Sequence, residues 1–210
     1  MTLSPRTSGK YGGLSKEDRR AERRTRLVAA ARKVYGEQGF RQASVKSLCV
    51  EAGLTKRYFY ESFSNSEELL LAAYHSVIVE LLDELTAAAR LQRDRHNQNQ
   101  LAGALLAAYF SFLKRNRHAA RLILLEIRGI SAATTDTYTK ALRAIARQME
   151  AVLELDDDDD DARHMLAFGV VGGISLIALS WVQDEYRESI DAVVEVALQL
   201  AGVMFVHKSA

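Results

Sequence analysis

Lys56 and Arg57 stand directly before Tyr58, Phe59 and Tyr60, with Phe63 just beyond, in the run "TKRYFYESF". Cations beside aromatics can bury a core, stack on unpaired bases, or hold a phosphate backbone through charge and tyrosine hydroxyls. Helical spacing separates these uses. Phe59 and Phe63 are four apart and share a face with Leu54, so they point inward. Lys56 and Tyr60 are also four apart, rotated about 100 degrees away. Arg57 lies further round and Tyr58 on the opposite flank. The segment predicts a short helix seated by phenylalanines, with a cationic, tyrosine-edged side turned outward. Stacking is disfavoured, because the residues sit in a helix rather than on an exposed sheet.

Other chemistry finds little support. His75, His96, His118, His164 and His207 are scattered without metal-ligand spacing. No G-x-S-x-G, P-loop or G-x-G-x-x-G motif occurs. Cys49 is a single cysteine, which excludes an internal disulfide and reads as a small buried side chain. No enzyme activity, metal or cofactor is therefore expected. His118 and His164 read as surface or inter-helix residues.

The elements that must position the aromatic run come next. One proline and 12 glycines in 210 residues, with no alternating apolar segment, predict an all-α chain. Residues 1–14 read as a flexible basic arm without a secretory apolar stretch, which suits a cytoplasmic protein. A helix is expected after Ser15, with Leu27, Ala30, Ala31, Val34 and Tyr35 as its buried stripe and Gly39 as a left-handed stop. Arg19, Arg20, Arg23, Arg24 and Arg26 precede that stripe, as a solvated face or as a phosphate-binding one. Ser44 suits the N-cap of a second helix. Val45, Leu48, Cys49 and Ala52 face inward there, and Gly53 permits the tight turn that follows. Thr55 can cap the third helix. Two short helices joined by such a turn form a helix-turn-helix. Residues 1–75 carry 14 Lys+Arg against 8 Asp+Glu, whereas the remainder is acidic. A polyanion would meet the N-terminal part only.

Residues 27–71 resemble the DNA-binding domain of TetR-family transcriptional regulators. The matching features are "YGEQGF", "ASVKSLCVEAGLTK" and "YFYESFSNSEEL". The resemblance implies DNA contacts from Ser44, Lys46, Thr55, Lys56, Arg57, Tyr58 and Tyr60. The family often has lysine before the acidic start of helix 4; here Ser66 stands there, so one phosphate contact is missing or replaced by a hydroxyl.

Residues 15–64 are thus expected to form the DNA-binding domain, and 65–210 a helical effector-binding and dimerisation domain. Asn65 or Ser64 can cap a fourth helix reaching the 90s, followed by a loop at "RDRHNQNQ". Three further apolar segments run through Leu101–Leu113, "HAARLILLEIRG" and Leu142–Leu153. Asp156–Asp161 lacks the spacing of a cation loop and reads as a solvated connector. Met165–Gln183 has no charge over 19 residues. Its glycines, polar residues and missing basic flanks argue for burial rather than a membrane span.

The family architecture implies a four-helix homodimer interface, with Gly169, Gly173, Ile177, Val194, Ala197, Ala201 and Met204 in it. Dimerisation would set two recognition helices about 34 Å apart on a pseudo-palindromic duplex. The resemblance also implies release of a repressor by a small effector, hydrophobic or aromatic, in a pocket including Phe110, Ile123, Met149, Phe168 and Trp181. The competing readings are a helix-turn-helix regulator without ligand control and a membrane-associated helical protein.

Overall fold

A computed structural model describes residues 15–92, 97–153 and 161–208, and these are helical with no strand. The basic arm, most of the aspartate run and part of the "RDRHNQNQ" loop lie outside the described residues.

Helix α1 (Lys16–Gln38) opens with a capping box: the Asp18 N–H donates to Ser15 Oγ, and the Ser15 N–H to the Asp18 carboxylate, both at 3.0 Å. Its inner stripe, Leu27, Ala30, Ala31, Val34 and Tyr35, is buried as the spacing required. Gly39 ends the helix at φ 80° and ψ 154°, an extended conformation reserved for glycine rather than the expected left-handed stop.

Helix α2 (Val45–Ala52) is capped by Ser44 and closed by Gly53, which is left-handed at φ 61° and ψ 39°. Helix α3 (Lys56–Ser62) follows, with Phe59 and Phe63 fully buried. Each stabilises the head, the unit formed by α1, α2 and α3, by about 1.5–3 kcal/mol through removal from water. Phe63 lies one residue past the helix, in extended backbone. Thr55 occupies the N-cap position of α3, but its hydroxyl makes no capping bond, contrary to expectation.

Helix α4 (Ser66–Leu91) is capped by Asn65, whose Oδ1 accepts from the Glu68 N–H at 2.8 Å. It packs first on α1 and then on α5 (Gln98–Arg115) and α7 (Ala132–Val152), so it runs from the head into the body. Between α5 and α7 come α6 (Arg117–Arg121) and a π-helical turn, Leu122–Glu126, in which the Ile127 N–H reaches back to the Leu122 carbonyl at 3.2 Å. Helices α8 (Asp161–Gln183) and α9 (Ile190–Gly202) complete the body, and a 3-10 turn, Val203–Lys208, follows. Buried apolar residues form one continuous core from Leu27 in α1 to Met204.

Candidate nucleic-acid interface and ligand cavity

Ser44, Lys46, Thr55, Lys56, Arg57 and Tyr60 are exposed on the N-terminal ends and outer sides of α2 and α3. Lys46 and Lys56 have no ion-pair partner among the described residues, so their charge is available. Tyr60 is 60% exposed, and its ring is fixed edge-to-face on Phe59 at 5.2 Å. Two residues of the expected set are more engaged. Arg57 Nε pairs with Glu61 Oε1 at 2.9 Å, and half-buried Tyr58 lies under the Arg23 guanidinium, 4.4 Å from its ring centroid. Ser44 spends a lone pair on the Ser47 N–H at 3.0 Å.

The arginines of α1 divide in a way the sequence did not show. Arg26 donates to the Ala52 carbonyl at 2.7 Å and to the Gly53 carbonyl at 3.2 Å, satisfying acceptors left open where α2 ends. Arg24 lies over the Phe63 ring at 4.5 Å. Lys33 pairs with Glu51 at 3.0 Å. These cations fasten α1 to the helices that follow. Arg20 remains exposed on the outer side of α1. Ser66, at the departure from the family pattern, accepts the Tyr35 hydroxyl on its carbonyl at 3.1 Å.

Polar contacts bind this head to the body. The Phe40 N–H donates to Glu126 Oε2 at 2.8 Å, and Arg41 to the Gly129 carbonyl at 3.3 Å. Ser131 Oγ, the N-cap of α7, donates to Glu67 Oε1 at 2.6 Å. At Gly36 the helices touch so closely that an added Cβ would lie 2.4 Å from the Cβ of His118 in α6.

The body encloses a cavity of about 90 Å³ between α4, α5, the π-helical turn, α7 and α8. Leu81 and Leu85 of α4, Leu105 of α5, Ile145 of α7 and Ile174 of α8 supply apolar wall, and no charged side chain lines it. Polar atoms come from Tyr74, Thr86, Tyr109, Tyr138, Gln148 and Ser175. Burial raises the Tyr74 and Tyr109 hydroxyl pKa values above the ordinary range, with a smaller push from Tyr138. These phenols therefore stay protonated.

Ile123 and Met149, of the five residues expected in a pocket, line this cavity. Phe110, Phe168 and Trp181 do not. Phe110 is fully buried against Trp181, whose Nε1–H donates to the Glu188 carbonyl at 3.0 Å, and Phe168 lies beneath Arg143. Periodicity marked them as inward but could not say which interior they filled. The tyrosines that do line it were missed, although Tyr74, Tyr109 and Tyr138 on three apolar stripes were the available signal.

The residues expected at a dimer interface also divide. Gly169 is open to solvent, with nothing within 4 Å of an added Cβ. Gly173 instead receives Leu200 of α9, 2.7 Å from that Cβ position. Ala197, Ala201 and Met204 are buried within their own chain, with Ile177 and Val194 packed against the same core. Helix α9, which carries Val194, Ala197 and Ala201, packs on α5 and α8 of its own chain. Among the described residues of α8, α9 and the turn that follows, the exposed large apolar side chains are Met165, Leu176, Val196 and Val203.

Residues 27–73 match the family described as bacterial regulatory proteins, tetR family. Residues 27–73 thus carry the DNA-binding domain of that family. It is 27% identical over 188 residues to the HTH-type transcriptional activator FasR of Mycolicibacterium smegmatis, covering 87% of this chain and 82% of that protein. Its fold is similar to the fatty acid degradation regulator FadR of Bacillus halodurans, with a TM-score of 0.71 and 18% identity over 89% of this chain and 96% of that one. It is likewise similar to FadR of Bacillus subtilis in complex with stearoyl-CoA, with a TM-score of 0.68 and 17% identity over 84% and 96%.

Proposed function

We propose that the chain is a cytoplasmic homodimeric regulator that grips a pseudo-palindromic duplex operator through α2 and α3 of two copies and changes its hold when an apolar effector enters the body. The observation that carries the reading is the combination of a phenylalanine-seated α3 bearing unpaired Lys56 and exposed Tyr60 with an uncharged cavity one element away from the head.

The route between them is short. Ile123 and Leu124 of the π-helical turn line the cavity, and Glu126 of the same turn holds the Phe40 N–H at the exit from α1. A π turn is a strained register that often marks functional sites. An occupant that moves Ile123 moves Glu126, and an effector shifts DNA affinity by as much as it prefers one arrangement of this contact.

The stearoyl-CoA of the Bacillus subtilis FadR complex supports an effector with a long acyl chain. Apolar cavities of roughly 150 Å³ take up benzene. At about 90 Å³ this one admits only a few heavy atoms. A longer chain must part α4 from α7, and that expansion would supply the force of the switch. The expectation of a repressor rests on the family resemblance, whereas FasR is an activator. The sign follows from where the operator lies relative to its promoter.

The test is selection of bound duplexes from a random pool by the purified protein, then titration of the selected duplex with and without stearoyl-CoA. A palindromic consensus whose affinity falls or rises at least tenfold with stearoyl-CoA is expected. Enrichment of no sequence would overturn the DNA-binding role, and an unchanged affinity would overturn the effector class.

A further inference from the structure

The head-proximal part of the cavity is not plain apolar wall. Tyr74 of α4 is 3% exposed and lines the cavity, yet its hydroxyl has no hydrogen-bond partner among the described residues. The hydroxyl of Tyr109 on α5 lacks one too. Tyr138 of α7 completes the group and shares a hydrogen bond with Ser175 Oγ at 3.0 Å. All three tyrosines line this same cavity. Neither phenol oxygen is fully enclosed, so both are open to the cavity space, and two such donors at one spot suit an occupant with a polar atom.

Their position gives that atom leverage. Tyr74 is seven residues, two helical turns, beyond Glu67 on α4. Tyr138 is two turns beyond Ser131 on α7. Glu67 and Ser131 are themselves joined at 2.6 Å where head meets body. Whatever engages the tyrosines acts on the two helices bridged at that junction.

We propose that Tyr74, Tyr109 and Tyr138 form a subsite for an uncharged oxygen acceptor, such as a ketone, ester or thioester carbonyl, carried by the apolar effector. The inference rests on the reading of this cavity as the effector site and names the chemistry read there. A carboxylate is excluded because no cation lines the wall, and a buried unpaired charge is far costlier than a neutral group. A pure hydrocarbon fits the walls but leaves two phenols unsatisfied. The Tyr74 and Tyr109 hydroxyls, held protonated by burial, are donors throughout the physiological range.

Affinities of 2-heptanone, heptane and heptanoate, measured by competition with a solvatochromic dye on the full chain, test this. The ketone is expected to bind wild type about tenfold more tightly than heptane, with heptanoate weakest at neutral pH. In the double variant Tyr74→Phe, Tyr109→Phe the ketone's advantage should vanish while heptane affinity stays unchanged, which also reports an intact cavity. Equal binding of ketone and heptane by wild type would overturn the subsite yet leave an effector cavity in place. So would an advantage that survives in the double variant. Binding of none of the three probes would overturn the subsite and the cavity reading together.

Discussion

Lys56 and Tyr60 occupy the outer side of α3 for different reasons, and each has its own test. Lys56 has no ion-pair partner among the described residues, so Lys56→Ala should weaken operator binding about tenfold and reduce the salt dependence by about one counterion per subunit. Tyr60 presents a hydroxyl on a ring braced against Phe59. Tyr60→Ala should weaken binding similarly without altering the dimer, as read by gel shift and sedimentation side by side. Loss of the dimer along with binding would assign these residues a structural role. Arg26 belongs to the same basic run but does other work. Its bonds to the Ala52 and Gly53 carbonyls predict that Arg26→Ala lowers stability by about 1–2 kcal/mol, visible in thermal unfolding, while the salt slope stays unchanged. A free phosphate-binding arginine would show the reverse pattern.

At the scale of elements, what matters is how α1 meets α6. The contact at Gly36 leaves no room for a methyl group, because the crowding atoms are the His118 Cβ, Cα and carbonyl oxygen rather than a flexible tip. Gly36→Ala should therefore cost about 1–3 kcal/mol through overpacking, and should separate the head from the π-helical turn. Chemical denaturation checks the first. The second predicts an operator affinity that no longer responds to stearoyl-CoA; a full response with lowered stability would show that coupling runs elsewhere. The pKa shifts at the helix starts have a definite sign. Asp18 is lowered by its bonds with Ser15, and Glu68 by the Ser64 backbone N–H. A carboxylate with a lowered folded value contributes stability that is complete above its unfolded pKa. It is lost as pH falls through the folded one. Melting temperature should therefore decline on acidification through the carboxylate range, and Asp18→Asn should flatten that decline.

At the scale of the whole molecule, the proposed dimer needs a surface that can meet a second copy. α8 is the one described helix long and apolar enough to cross a membrane, with a mean hydropathy of 2.1 over its most apolar window. One side packs on α7 and α9, and the other leaves Met165, Gly169 and Leu176 exposed at helical spacing. An exposed apolar stripe of this kind suits association. Leu176→Glu should yield a folded monomer by sedimentation, with operator affinity reduced by at least a hundredfold, because two recognition helices would no longer act together. A dimer that survives Leu176→Glu would move the interface to another face.

What could be read from the amino-acid order was whatever depends on neighbours a few residues apart. The helical character, the Ser15, Ser44 and Asn65 caps, the Gly53 turn and the inward turn of Phe59 and Phe63 follow from i, i+3 and i+4 relations and from local backbone sterics. Such relations say that a residue faces inward, not what it will find there. Arg26 could serve as a cap for α2 only once α1 and α2 had packed. Ala197 and Ala201 form a stripe whether that stripe meets α5 or a second chain. Phe110 and Tyr109 are adjacent in sequence, yet one joins the solid core and the other a cavity wall. Those choices belong to tertiary packing, because a cavity, an interface or a junction is defined by elements distant in sequence, and no local periodicity encodes which of them will meet.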